Sequence, residues 1–448
     1  MSAACALADA GLGVQLIEQR GYLGGRASSY LHPGVGEIVD NCQHVLIGAY
    51  TNLIGFYRRI GVSERIHWTT EMTMIEPGGR RSVLGPSLLP APLHGLPKLL
   101  CASAFSLADK LALARAFAAI LLGKATDPSE SLGHWLRRQR QTQGALDRFW
   151  RLVIASALNG ELDEIGLNYA AMVIRGLFLD SAEAGAMGLS TVPLSGLYEK
   201  VPAYLAARGG AVAMNEYVEG AAWDEDARTW TVYTRTGEVV AEFVVLALPF
   251  EATQKLLPHL PTEKAGERLA RQIEKHAHRP ICSVHLWFDR PVTELEHAVL
   301  LDSPIHWMYN QSLLQKRPGN YIELVVSASR NFAALKREEA LGLALGELAR
   351  FFPAAKEAKL EKSALIKEVR ATFSVPPGID SARPAAVSPW PHLFLAGDWI
   401  QTGWPSTMES AARSGHLAAE TLLFATGEPR RFLEPDMEPR GLMRWLRR

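Results

Sequence analysis

Apolar and polar positions alternate along this chain in a way that predicts short strands and helices in mixed order. Near the end, residues 393–396 form an unbroken apolar run that reads as a buried strand. Gly397 and Asp398 follow, then the turn residues Gly403 and Pro405, then a helix to about Phe424 with Ala411, Ala412, Gly415, Ala418 and Ala419 on one smooth face. At the start, residues 2–10 predict a helix ended by Gly11 and Gly13, and residues 14–18 a strand closing on a carboxylate. Further strands are expected at 212–218, 229–234 and 244–249. From Pro280 the alternation changes, and 281–288, 306–309, 321–326 and 366–373 predict a second sheet. Helices are expected within 129–180, over 197–208 and over 330–352. Between Gly85 and Gly123 leucines are spaced by Pro86, Pro90, Pro92 and Pro97 before an amphipathic helix over 107–122.

A length of 448 residues predicts two or three domains. The 48% hydrophobic and 21% charged composition is that of a globular protein, and a formal net charge of +0 argues against nucleic acid as the main partner. Four cysteines without a CxxC pair give neither a zinc signature nor a disulfide framework, as expected for a reducing cytoplasm.

Two stretches carry chemistry. Asp398 lies at a strand's carboxyl end, where open α/β sheets bind ligands. The helix after it would present the amides of Thr407, Met408 and Glu409, with positive partial charge, to an electron-rich ring. At the other end of the chain, Glu18 is placed to take ribose hydroxyls, while Gly24 and Gly25 allow a bare turn and Arg26 reaches towards a pyrophosphate. A βαβ dinucleotide unit places a strand and a Gly-x-Gly-x-x-Gly loop before the first helix; neither precedes residues 2–10, so about 15 residues of that unit are expected to be missing. The assembly suits FAD.

Glu18 with Leu23-Gly-Gly-Arg26, Asp40-Asn-Cys-Gln-His44 with Gly48-Ala-Tyr50, and Leu395-Ala-Gly-Asp-Trp399 with Met408-Glu409 resemble the FAD-dependent amine oxidase and phytoene desaturase superfamily over essentially the whole chain. Within it, the Asn-x-Gln-His-x-Leu-x-Gly-Ala-Tyr run, the Pro/Leu-rich stretch and Arg383-Pro384 most resemble the squalene-associated desaturases, the hydroxysqualene dehydroxylases of bacterial hopanoid synthesis. The resemblance implies an α/β fold. Its Rossmann-like, three-layer FAD domain would comprise 1–80, 190–255 and 385–426; a discontinuous α+β substrate domain, 81–189 and 256–384, would hold a mixed sheet and a helical cap. It places Gln43 beside the flavin and Val218 against the adenine, and makes His44 and Tyr50 candidates for proton chemistry. It implies a C30 isoprenoid alcohol reduced to squalene, with upstream squalene- or hydroxysqualene-forming enzymes as possible partners. Segment 85–123 would dip into the cytoplasmic membrane. The alternatives are a phytoene-type desaturase, an amine oxidase and, because of the absent glycine loop, a flavin-free lipid-binding protein. The basic tail 443–448 is expected to touch anionic lipid or to fray.

Overall fold

The structure is a computed structural model that describes residues 1–261 and 264–446. It has two halves, each assembled from segments distant in sequence. In the first, the strand Gln15–Glu18 pairs in parallel with Ala211–Met214, and Val244–Leu246 pairs in parallel with Leu393–Leu395. The helix Ser2–Asp9 packs on Met408–Ala425, and the small-residue face of the latter is what permits this. A Cβ on Gly415 would collide with Ser2 Oγ and with Ala3 N at 2.8 Å, and Ser2 Oγ donates to Ala412 O at 2.9 Å. An antiparallel meander, Val218–Asp224, Thr229–Thr234 and Gly237–Ala241, stands beside them.

The second half is built on a seven-stranded mixed sheet. Its order is Leu360–Phe373, His278–Phe288, Asn320–Val326, Trp307–Asn310, His297–Leu300, Met72–Ile75 and Arg81–Leu84. One face is wholly apolar (Val284, Leu286, Leu324, Met308) and is covered by the helix Arg337–Phe351. The cap is helical: Leu107–Leu121, Leu132–Arg138, Leu152–Leu158 and Leu167–Ile174 enclose Trp135, Phe149 and Trp150. Ser106 and Asp109 form a capping box that starts the first of these helices.

The expected α/β class is present, and several element boundaries move. The strand expected over 212–218 is two strands, because Asn215 adopts φ +59° and turns the chain between them. The helix expected over 330–352 breaks into Arg330–Ala334 and Arg337–Phe351 at the extended Leu335. Residues 72–75, assigned to the FAD domain by the 1–80 boundary, instead pair in parallel with His297–Leu300 and belong to the large sheet. The strand Met187–Ser190, between Leu46–Ile47 and Ile66–Thr69, was not foreseen; Gly188 lies at its centre. In the tail, Met443 is buried and Trp445 exposed, while Arg447 and Arg448 lie outside the described residues.

Candidate active site

A single cavity of about 1430 Å³ runs between the halves. Its polar end is lined by Glu18, Arg20, Gly24, Gly25, Arg26 and Val218, facing Gly397, Asp398, Thr407 and Met408. The carboxylates from positions 18 and 398 therefore share one cleft. Glu18 ends its strand with Oε1 accepting from Arg20 N at 2.8 Å. Gly24 is at φ +118°, where a Cβ would meet Ala27 O at 2.5 Å, so the turn admits no side chain. Gly397 is at φ +140°, its N–H donates to Ser414 Oγ at 2.8 Å, and a Cβ there would strike Trp399 Nε1 at 2.5 Å.

Arg26 is not free to wait for a phosphate. Its Nη2 donates to Asp398 Oδ1 at 2.5 Å and its Nη1 to Ala371 O at 3.1 Å, and Asp398 Oδ2 takes Ser406 Oγ–H at 2.5 Å. The loop beyond is held by Arg383, fully buried, which donates to Asp398 O and Thr402 Oγ1 at 3.0 Å and to Trp404 O at 2.7 Å. Arg383 entered the sequence reading only as a mark of resemblance; its holding role rests on contacts that no linear spacing shows.

Thr407 caps the helix Met408–Ala425, its Oγ1 accepting from Ser410 N at 3.1 Å, so the helix N-terminus opens onto the cavity. Glu409 is a correction: it does not line the cavity. Its carboxylate is buried and accepts Asn52 N at 3.2 Å, Asn52 Nδ2 at 2.9 Å and Leu53 N at 2.8 Å, capping the neighbouring helix Thr51–Ile60. A surface-facing Glu in a first turn and one reaching a second helix look identical in sequence.

Gln43, His44 and Tyr50 line the middle of the cavity. His44 Nδ1 lies 2.8 Å from Cys42 O; since a carbonyl only accepts, that nitrogen carries the hydrogen, and the cavity-lining ring keeps Nε2 as its basic atom. Burial lowers its pKa and keeps the ring neutral. Tyr50 sits edge-on to Trp404 at 5.6 Å, and burial raises its pKa so that it remains a hydroxyl. Segment 41–43 is suspended from the large sheet: Ser283 Oγ donates to Asn41 O at 3.2 Å, and Gln43 N donates to Glu323 Oε1 at 2.7 Å.

The other end of the cavity is a hydrocarbon channel. None of its lining residues between Thr70 and Met187 is Asp, Glu, Lys or Arg. Trp307 and Tyr309 wall it, stacked at 5.6 Å, whereas Trp287, Phe288 and Phe373 pack into cores. Leu93 and Leu96 line the channel and are also 42% and 38% exposed, which places its mouth among Leu88, Leu89, Leu100 and Leu107 on the surface.

A cleft with a ribose-seeking carboxylate at one strand end, a bare glycine turn, a helix N-terminus and an apolar channel continuous with it defines a flavoprotein oxidoreductase. The donor set fits FAD, with Glu18, Gly24, Gly25, Val218, Asp398, Thr407 and Met408 placed to hold it and Arg26 fixing Asp398. The chain belongs to the flavin-containing amine oxidoreductase family, whose description matches residues 1–423, and its cofactor is FAD. It is similar to the 15-cis-phytoene desaturase of Synechococcus elongatus, 25% identical over 459 residues covering 96% of this chain and 95% of that one. It is also similar to the chloroplastic/chromoplastic 15-cis-phytoene desaturase of Solanum lycopersicum, 26% identical over 448 residues covering 94% and 76%. Its fold is shared with a putrescine oxidase solved with putrescine (TM-score 0.71, 16% identity, 94% and 96% covered) and with an oxidoreductase of Methanosarcina mazei (TM-score 0.71, 14% identity, 92% and 96% covered).

Proposed function

We propose that this enzyme moves a hydride to or from a long isoprenoid chain seated in the apolar channel, with a carotenoid precursor such as phytoene as substrate. The observation that carries the proposal is the uncharged channel joined to the FAD cleft. Similarity to the phytoene desaturases supports the same substrate class. An amine substrate, the class named for the putrescine oxidase, is disfavoured because a buried ammonium needs a carboxylate, and the channel wall between Thr70 and Met187 offers none. Bound FAD supplies the redox chemistry by accepting or giving the hydride. His44 Nε2, neutral and basic, takes the proton that leaves the substrate when a double bond forms. The channel walls exclude water, and Gln43, fixed through its backbone N–H, keeps His44 in place.

A second reading is reductive dehydroxylation of hydroxysqualene to squalene. It is favoured by the hydroxyls of Tyr50 and Tyr309, which line the cavity and have no hydrogen-bond partner among the described residues. A hydrocarbon leaves them unmatched; a departing alcohol oxygen accepts from them. We further propose that the exposed leucines at the mouth dock on the cytoplasmic face of a lipid bilayer, from which the substrate enters. No helix among the described residues is long and apolar enough to cross a membrane.

Anaerobic incubation separates the readings. FAD-loaded enzyme with phytoene and a quinone acceptor is expected to yield a desaturated product, whereas dithionite-reduced enzyme with hydroxysqualene yields squalene under the second reading. Turnover of neither overturns the isoprenoid assignment. His44→Ala is expected to lower kcat by on the order of 10²-fold or more with an unchanged flavin spectrum; full turnover removes His44 from the reaction.

A further inference from the structure

Gln43 meets the cavity at the end of a chain of buried amides that the chemistry above leaves unused. Its side-chain Oε1 accepts from Gln311 Nε2 at 2.7 Å, and its Nε2 donates to His44 O at 3.2 Å. Gln311 Nε2 also donates to Glu323 Oε2 at 2.6 Å, Gln311 Oε1 accepts from Gln315 Nε2 at 3.1 Å, and Gln315 Nε2 donates to Asp40 Oδ2 at 3.3 Å. Gln311 and Glu323 are fully buried and Asp40 nearly so. Gln311 and Gln315 are thus strung between two carboxyl groups by direct hydrogen bonds, with Gln43 as the branch that reaches the cavity.

The direction of this chain is fixed. A primary amide can sit either way round, with nitrogen and oxygen exchanged. A main-chain carbonyl only accepts, so the Gln43 atom that meets His44 O is the nitrogen. Its oxygen then faces Gln311, which answers with nitrogen, and both Gln311 Nε2 hydrogens are spent, on Gln43 and on Glu323. Gln311 Oε1 is left to accept, and Gln315 supplies the nitrogen. Of the two hydrogens on Gln43 Nε2, one goes to His44 O and the other has no partner among the described residues. With the amide oxygen turned to Gln311, that hydrogen is left to the cavity Gln43 lines. Attachment of segment 41–43 to the large sheet needs none of this, because Gln43 N and Asn41 O already hold it through Glu323 and Ser283. A buried hydrogen-bonded network rigidifies what it holds, and here it holds one amide edge.

We infer that Gln311, anchored by Glu323, is a positioning residue that keeps Gln43 a hydrogen-bond donor in the cavity, so that the molecule seated there offers Gln43 an acceptor. That acceptor is an oxygen or nitrogen at the edge of the flavin ring, or the oxygen of an isoprenoid alcohol. Reduction adds negative charge to the ring, so a fixed donor at its edge favours the reduced form. A fixed donor on the alcohol favours hydroxysqualene over squalene. This rests on FAD occupying the cleft and is independent of which isoprenoid turns over.

Two measurements on the FAD-loaded full chain test it, and neither needs turnover. The flavin midpoint potential is read against a redox dye, and the relative affinity for hydroxysqualene and squalene by titration of the flavin absorbance. One hydrogen bond is worth roughly tenfold in an equilibrium. With the flavin as acceptor, Gln43→Leu is expected to lower the potential by about 30 mV, that tenfold shift for a two-electron couple. Gln311→Met, which frees the amide to turn, is expected to lower it too. With the alcohol as acceptor, the potential stays at the wild-type value and both variants lose roughly tenfold of the preference for hydroxysqualene. In either case the double variant matches Gln43→Leu, because Gln311 acts only through Gln43. Gln43→Leu keeps the main-chain bond to Glu323 and the bond from Gln311 to Glu323. Gln311→Asn, an amide drawn back by one methylene, takes the place of Gln311→Met if the latter does not fold. Wild-type potential together with wild-type preference in Gln43→Leu overturns the donor. A double variant further from wild type than Gln43→Leu overturns the positioning role.

Discussion

At Asp398 one carboxylate holds both Arg26 and Ser406 at the floor of the cleft. Asp398→Ala strips both of their acceptor and is expected to cost about 1.5–3 kcal/mol of FAD binding, a loss of roughly 10- to 150-fold. Flavin absorbance per protein after gel filtration measures it. Gly397→Ala strains a φ of +140° and drives a Cβ against Trp399 Nε1, which donates to Leu248 O at 2.9 Å. Its expected cost is about 2–3 kcal/mol in urea denaturation. Both positions were legible in the sequence because their signals are local: a strand end, a bare glycine, a turn. Glu18, Gly24 and Gly25 were legible for the same reason. Glu323 was not, since its partners Gln43 and Gln311 reach it only through chain reversal and sheet register, and a lone Glu in a hydrophobic strand looks like an edge residue.

Among elements, helices were read more accurately than their orientations. The period of Met408–Ala425 marks which residues share a face, and the alanines and Gly415 do meet the first helix. The same period is silent about the first turn, and there Glu409 serves Thr51–Ile60, a helix with no side-chain cap of its own. Glu409→Ala is expected to destabilise the fold by about 3 kcal/mol, because three buried or half-buried donors lose a charged acceptor. FAD content per folded molecule should stay unchanged. The leucine belt around the channel mouth makes the opposite prediction. Leu88, Leu107 and Leu100 are 105%, 71% and 54% exposed, so their replacement by serine is expected to leave unfolding within about 0.5 kcal/mol of wild type. Flotation with liposomes should fall.

Over the whole molecule, buried ionisable groups set a pH window. His285 and His416 are pushed down to about 3 and His306 to about 4, each mainly by burial, so each folded ring stays neutral where the unfolded one is charged. Their contribution is present above about pH 6.5 and is lost as pH falls towards those values. Glu323 has the opposite sign: its folded pKa, about 8, lies above the unfolded 4.5, so its contribution is full below 4.5 and declines as pH rises through 8. Urea midpoints between pH 5 and 9 are expected to peak near 6.5 and fall more steeply on the acid side, where three histidines act against one glutamate. Glu323→Gln should flatten the alkaline limb and steepen the acid limb, where the glutamate no longer opposes the histidines.

The bond from Ser2 to Ala412 closes a loop of 410 residues, and the flavin cleft lies inside that closure. A ribosome adding roughly 5–20 residues per second delivers the second partner about 20–80 s after the first. Throughout that interval the face of the first helix that meets residues 408–425 stays uncovered, and the nucleotide cleft lacks the wall from Ala396 to Gly415. Cofactor loading therefore follows the emergence of residues 396–415. A message that stalls before codon 398 yields a colourless product, however well its earlier segments have folded.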